Sequence, residues 1–299
     1  MRDGLVVVDK GPKWTSHDVV AKLRGVYGQK RIGHAGTLDP DATGVLLVGL
    51  GRVTRLMRYL QGATKEYRAR VVFGVATDTL DASGAVLERT EMTITRDALE
   101  ASARAYVGDI EQVPPMVSAL KVGGRRLYEM ARAGEEIERA ARPVHIDELV
   151  VEEFESGAYP EATIRVSCSS GTYIRTLAAD LGAALGGCAH LGNLRRLRVA
   201  GFTLDDARSI EAVEADPDAA VRPPKEAVRD LECVTVDAER ARAVAHGATF
   251  AAPALLGDRD GPGPFAVVDD AGVLLAVYER RGAAGVKPSV VLATESAPT

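Results

Sequence analysis

Apolar and polar residues change their spacing several times along the chain, and each change marks an element. Leu5 to Val8 is a continuous apolar run that predicts a strand reaching Asp9, and Thr15 and Ser16 stand as N-caps ahead of a helix. Val19, Val20, Leu23, Val26 and Tyr27 then recur at helical spacing. Residues 28 to 44 concentrate Gly, Thr, Asp and Pro and read as a loop. From Tyr67 the period becomes two: Tyr67, Ala69, Val71 and Phe73 alternate with Arg68, Arg70 and Val72, which predicts a strand with one buried face.

Residues 95 to 107 return to a helical pattern, and the Pro- and Gly-punctuated VPPMVSALKVGGRRLYEMARAG predicts a further helix from about Arg126 to Ala133. Ala162, Ile164, Val166 and Cys168 alternate with polar residues as in a half-buried strand. SSGT then turns the chain into a helix whose apolar positions are Ile174, Leu177, Ala178, Leu181 and Leu185, stopped by Gly186 and Gly187. EADPDAAVRPPKE, residues 214 to 226, has linker composition. Beyond it a short helix at Ala238 to Ala245, the hairpin signal FAVVDDAGVLLAVYE and a last strand near Ser289 to Ala293 describe a small β-rich unit.

A chain of 299 residues exceeds the size at which one core usually stops growing, so a domain over 1–230, with an insertion at about 112–145, and a second over 231–299 are expected. The Leu5–Val8 run is too short for a signal-peptide core and no stretch approaches a membrane span, so a cytoplasmic protein without membrane contact is expected. Cys168, Cys188 and Cys233 lie too far apart for a CxxC site, the histidines never take zinc-helix spacing, and no phosphate loop or dinucleotide fingerprint occurs. These patterns suggest chemistry that uses neither a metal nor a cofactor.

The formal charge of −5 argues against a uniformly nucleic-acid-binding surface, but the average hides a gradient. Residues 1–70 hold 13 Lys and Arg against 6 Asp and Glu, whereas residues 205–240 hold 5 against 11. The amino-terminal part therefore carries the excess of positive charge that phosphates would require.

The sharpest chemical feature is GHAGTLDPDATG, Gly33 to Gly44. Its glycines and proline suit a backbone that comes close to a ligand, and it presents His34, Thr37, Asp39, Asp41 and Thr43. On composition alone a surface turn with an Asp before a Pro fits equally well. The stretch resembles the catalytic loop of the bacterial TruB-type tRNA pseudouridine synthases, G-H-x-G-x-L-D-P-x-A-T-G. Further blocks agree in order: TKEYRARVVFGVATDTLDASG with a K-x-Y strand and T-D-T-x-D-x-x-G turn, VPPMVSALKVGGRRLYEMARAG, SSGTYIRTLAADLG and AHLGNLRRLRVAGF. The likeness covers roughly residues 5 to 210; Gly11 stands where the family commonly has the proline of D-K-P.

The resemblance implies an α+β pseudouridine-synthase fold: an extended, largely antiparallel sheet flanked by helices, plus a small C-terminal PUA-like β domain. It implies isomerisation of uridine to pseudouridine at position 55 in the T-loop of tRNA, by a monomer that needs no guide RNA and meets the T-arm and elbow. Asp39 carries over as the nucleophile, Arg175 as the cation that keeps it ionised, and Tyr67 as the residue stacking on the target base. By the same resemblance Leu194 is expected to pack on the base from the other side, Tyr173 to hydrogen-bond in the pocket, and His34 to contact nucleotides displaced when the base flips out. Lys10, Lys65, Arg195 and Arg196 are candidates for phosphate contact, and Asp78 for ordering the base pocket. Two other readings stay open at this point, a tRNA-folding chaperone in which catalysis is secondary and a guide-dependent synthase. A glycoside hydrolase is disfavoured, because the matching motifs offer a single carboxylate where two are required.

Overall fold

The amino-terminal apolar run forms strand β1 (Gly4–Lys10), and helix α1 (Ser16–Tyr27) follows it. Thr15 caps α1 in a reciprocal box, its hydroxyl accepting from the Asp18 amide while the Asp18 carboxylate accepts from the Thr15 amide. This computed structural model describes residues 2–118, 121, 122, 124–126, 130, 137–282 and 285–292. Strands β2 (Ile32–Ala35) and β3 (Thr43–Leu50), the short helix α2 (Met57–Gln61) and strand β4 (Lys65–Phe73) come next. Then come the hairpin of β5 (Val75–Thr77) and β6 (Val86–Arg89), helix α3 (Arg96–Arg104), strand β7 (Gly108–Gln112) and a short ladder of β8 (Lys121–Val122) with β9 (Arg125–Arg126). β10 (Arg142–Glu155), β11 (Glu161–Cys168), helix α4 (Ile174–Ala184), β12 (Ala189–Val199) and β13 (Phe202–Thr203) complete the larger part.

The main sheet has nine strands, seven of them in the order β1-β3-β12-β4-β11-β10-β7, with β2 on β3 and β13 on β12. All pairings are antiparallel except the short β12–β3 contact, where Arg195 and Arg196 face Thr43 and Gly44. That contact is what brings the loop before β3 against the middle of β12. In β4 Tyr67, Ala69, Val71 and Phe73 all point inward, as period-two spacing requires. They share one core with Ile174, Leu177, Ala178 and Leu181 of α4. The sheet flanked by helices is the α+β architecture that the sequence suggested.

The segment expected to be a loop over 28–44 is ordered as β2 for four residues, because Ile32 and Ala35 are buried and the strand pairs with Leu50 to Leu47. His34 therefore sits on a strand. The residues of linker composition also pack: helix α5 (Ile210–Ala215) enters the stretch, Arg222 exchanges backbone hydrogen bonds with Leu5, and Ala220 is buried. Most of the helix expected at Arg126 to Ala133 lies outside the described residues.

A second sheet of five strands runs β14 (Glu232–Thr235), β16 (Phe265–Val268), β17 (Leu274–Arg281), β18 (Gly285–Val291) and β15 (Phe250–Ala251). Helix α6 (Ala238–Ala245) accompanies it, and the expected hairpin is β16 with β17. This sheet does not stand free. Ala266, Val268, Leu274, Val277, Val290 and Leu292 join one apolar cluster with Leu5, Val7, Val45 and Leu47 of the main sheet. Arg55 donates to the Val291 carbonyl at 2.9 Å and Arg58 pairs with Glu279 at 2.9 Å across the same contact. Among the described residues no helix is long and apolar enough to cross a membrane.

Candidate active site

Asp39 lies in the connection between β2 and β3, and its neighbours on both sides are bolted down. The buried Ser16 hydroxyl accepts from the Leu38 amide at 2.9 Å and faces the Leu38 carbonyl at 3.2 Å. Lys10 is fully buried, and its ammonium donates to the carbonyls of Gly11, Trp14 and Pro40 at 3.0, 2.7 and 2.9 Å. The Ala42 amide closes a turn onto the Asp39 carbonyl. Arg196, 1% exposed, reaches from β12 under the loop and donates to the carbonyls of Val45, Thr37 and Gly36. Gly44 has φ +105°, and a Cβ there would stand 2.1 Å from the Arg196 carbonyl oxygen, so only glycine lets the loop pass β12.

These contacts give two of the basic residues a further role, that of holding the loop. Lys10 spends all three ammonium donors on loop carbonyls, and Arg196 spends three of its five N–H donors the same way while still bordering the cavity beside Asp39. Arg195 is half-buried and already paired with Asp9 at 2.7 Å. Lys65 is buried too, donating to the carbonyls of Gln61 and Ala63 at 2.9 and 2.7 Å, yet it lines the cavity beside Asp39.

That cavity has a volume of about 300 Å³, at the lower end of ligand sites. Asp39, Arg175, Tyr67, Leu194 and Tyr173 border it together with Lys65 and Arg196, so seven of the sequence-derived site residues meet at one place. Arg175 follows the first residue of α4 and is 6% exposed, whereas 44% of the Asp39 side chain remains accessible. Arg175 Nη2 stands 3.1 Å from Asp39 Oδ2, and the same guanidinium donates to the carbonyls of Val117 and Thr79. Its Nη1 lies 3.4 Å from Asp81 Oδ2. Asp81 is a residue the motif reading passed over. Asp78, singled out instead, caps the turn by accepting from the Ala85 amide at 2.9 Å. The signal was present, since both carboxylates stand in TDTLD, but spacing alone does not say which one turns inward.

The electrostatics of Asp39 differ from expectation in sign. Burial raises its pKa, and this outweighs the lowering by Arg175; Asp81 raises it further, Lys10 lowers it and Asp41 raises it. Arg175 thus limits a shift that burial sets. Burial likewise raises the pKa of the Tyr67 phenol. Tyr173 is the N-cap residue of α4 without a side-chain cap bond; its amide donates to Gln112 Oε1 at 2.9 Å. His34 is not part of the cavity lining. Its ring meets that of His17 edge to face, centroids 6.2 Å apart, and burial, His17 and Arg196 lower its pKa against a raising contact with the Gly36 backbone. Among the described residues no group of His, Cys, Asp or Glu is arranged to hold a metal.

Known proteins carry the same arrangement of sheets. A chain of the crystal structure titled as a Cbf5-Nop10-Gar1 complex superposes with a TM-score of 0.75 at 26% identity, covering 97% of this chain and 84% of the other. One in an H/ACA RNP bound to a substrate RNA containing 2'-deoxyuridine gives 0.74 at 24%, covering 96% and 84%, which shows the fold. The architecture is the pseudouridine-synthase fold. In sequence, the model of the TruB family pseudouridylate synthase N-terminal domain matches residues 24–174, and that of the tRNA pseudouridylate synthase B C-terminal domain matches residues 175–231. The tRNA pseudouridine synthase B of Thermobifida fusca is 45% identical, with 98% of this chain and 99% of that protein aligned. That of Corynebacterium aurimucosum is 42% identical over 94% and 93%. The chain belongs to the TruB family of pseudouridylate synthases.

Proposed function

We propose that the protein isomerises uridine to pseudouridine at position 55 in the T-loop of tRNA, acting alone and with Asp39 as nucleophile. The observation that carries this reading is the Asp39–Arg175 pair at the edge of a cavity also bordered by Tyr67 and Leu194. The relatives named as tRNA pseudouridine synthase B support tRNA as the substrate. In the reaction the N1–C1′ bond breaks, the freed uracil turns, and a C5–C1′ bond forms; C5 loses a proton and N1 gains one. Attack on the ribose, addition to the ring and a glycal route all use the same carboxylate, so the geometry serves each.

The target base leaves the T-loop stack and enters between Tyr67 and Leu194, while His34 meets the nucleotides it displaces. A ring or apolar face on each side excludes water while the glycosidic bond is open. Tyr173 contributes from the start of α4. A single-turnover assay on a T-arm stem-loop tests the proposal: the wild-type protein converts the target uridine without any guide RNA, and Asp39→Asn does not. Conversion only in the presence of a second RNA, or undiminished conversion by Asp39→Asn, overturns it.

A further inference from the structure

Lys65 is a buried cation with an unusual set of partners. It is 6% exposed, and two of its three N–H groups meet the carbonyls of Gln61 and Ala63. The charges that act on it are those of Arg196, which lowers its pKa, and the Cys168 thiol; neither Asp39 nor Asp81 is among them. Among the described residues no carboxylate forms an ion pair with Lys65. Lys10, the other buried lysine, spends all three donors on carbonyls and feels Asp39 and Asp41. Burial, with Arg196 beside it, has pushed Lys65 down to about 8, as burial has pushed Lys10, but Lys65 has no carboxylate among the described residues acting against that cost.

No such anion stands among the described residues, and the surroundings say what kind would fit. Strand register sets Lys65 opposite Cys168, the last residue of β11. The chain then turns through Ser170, Gly171 and Thr172, all three bordering the cavity that Lys65 borders. Gly171 has φ +90°, with nothing within 4 Å of where a Cβ would be, so the turn faces open space. It leads into α4, whose eleven residues begin without a side-chain cap, adding the positive end of a helix to the ammonium. An anion with more than one acceptor oxygen matches these donors, and in an RNA substrate that group is a phosphodiester.

We infer that Lys65 and the Ser170–Thr172 turn form a pocket for a phosphodiester flanking the target uridine. This rests on the proposed reaction and adds a second hold on the flipped nucleotide: its base is gripped by Tyr67 and Leu194, and its backbone at Lys65. The pocket fixes the strand relative to Asp39 and carries no base specificity of its own.

The test uses T-arm stem-loops in which the phosphate 5′ or 3′ to the target uridine is replaced by a neutral methylphosphonate. With the wild-type protein, one of the two replacements weakens binding about tenfold, the scale of one charge-assisted hydrogen bond. Lys65→Met binds the unmodified RNA about tenfold more weakly, and the same replacement then costs nothing further. Lys65→Arg keeps the charge and restores the discrimination. Thermal melting reports folding, and Lys65→Gln, which still offers N–H donors to the Gln61 and Ala63 carbonyls, stands in if Lys65→Met does not fold. Equal losses in wild type and variant, or no loss with either RNA, overturn the pocket. If the wild-type protein fails to convert the unmodified stem-loop, the proposed reaction fails instead.

Discussion

Arg175 holds Asp39 at 3.1 Å while its other terminal nitrogen lies 3.4 Å from Asp81, so one guanidinium spans two carboxylates that would otherwise repel across the cavity edge. Burial and Asp81 raise the pKa of Asp39, and Arg175 is the largest influence lowering it. Arg175→Met therefore lifts it further above the usual carboxylate range. Since the carboxylate is the reactive form, the single-turnover rate at neutral pH falls, on the order of a hundredfold. Part of the loss returns as pH rises and Asp39 ionises. A variant as fast as wild type, or one whose deficit is the same at every pH, contradicts this role for the pair.

Asp81→Asn separates the two duties of the bridge. Removing a charge that raises Asp39 moves the acid limb of the pH–rate profile to lower pH. The guanidinium also loses an anchor, so the plateau rate drops, about tenfold. The two effects have opposite consequences at acid pH, and a full profile resolves them. An unshifted acid limb removes Asp81 from the electrostatics of the site.

Much of this site was legible because its residues stand in short motifs. Asp39, Arg175, Tyr67, Leu194 and Tyr173 come from distant segments and share one cavity. The misreadings concern cations. Lys10 and Arg196 look like phosphate ligands in a basic region, and a residue type does not reveal that loop carbonyls already take all three donors of Lys10 and three of the five of Arg196. The Pro-rich stretch after Asp216 misled in the same way. Composition marks it as a linker, while pairing of Arg222 with Leu5 and burial of Ala220 are tertiary facts.

Lys10→Met leaves the carbonyls of Gly11, Trp14 and Pro40 without their donor. Each unmet buried carbonyl costs roughly 1–3 kcal/mol, offset where water reaches it. The expected result is a lower thermal midpoint together with a reduced rate, because Pro40 adjoins Asp39. The rate loss appears at saturating RNA, whereas loss of a phosphate contact weakens binding first. A variant with normal stability and only weakened binding restores Lys10 to the list of phosphate ligands.

Deleting residues 231–299 uncovers Leu5, Val7, Val45 and Leu47, which share a core with Ala266, Val268, Val277 and Val290. It also strands Arg55 and Arg58, whose partners are the Val291 carbonyl and Glu279. The truncated chain melts at a lower temperature than the whole one, by roughly 5 °C or more in calorimetry. Identical melting of the main sheet in both proteins argues that the shared cluster contributes nothing.

Asp39→Asn carries two expectations that together separate catalysis from folding. Pseudouridine formation stops, because the amide has no carboxylate to offer, while the T-arm stem-loop still binds through contacts elsewhere. Stability moves the other way. The folded-state pKa of Asp39 is raised, so the folded protein favours the protonated form, and ionisation costs stability progressively as pH rises above the ordinary value of 3.8. Asparagine removes that cost. Arg175 keeps Asp81 and the carbonyls of Val117 and Thr79, so its charge is not stranded. The variant should melt above wild type at neutral pH, on the order of 1–2 °C, a small gain because solvent reaches Asp39 and screens its charge. The difference should vanish near pH 3, where Asp39 is protonated in both states of the wild-type protein. Melting curves at the two pH values, beside a single-turnover assay at neutral pH, check both halves. A variant less stable than wild type at neutral pH would mean that the Arg175 contact outweighs burial, and the sign assigned to Asp39 would be wrong.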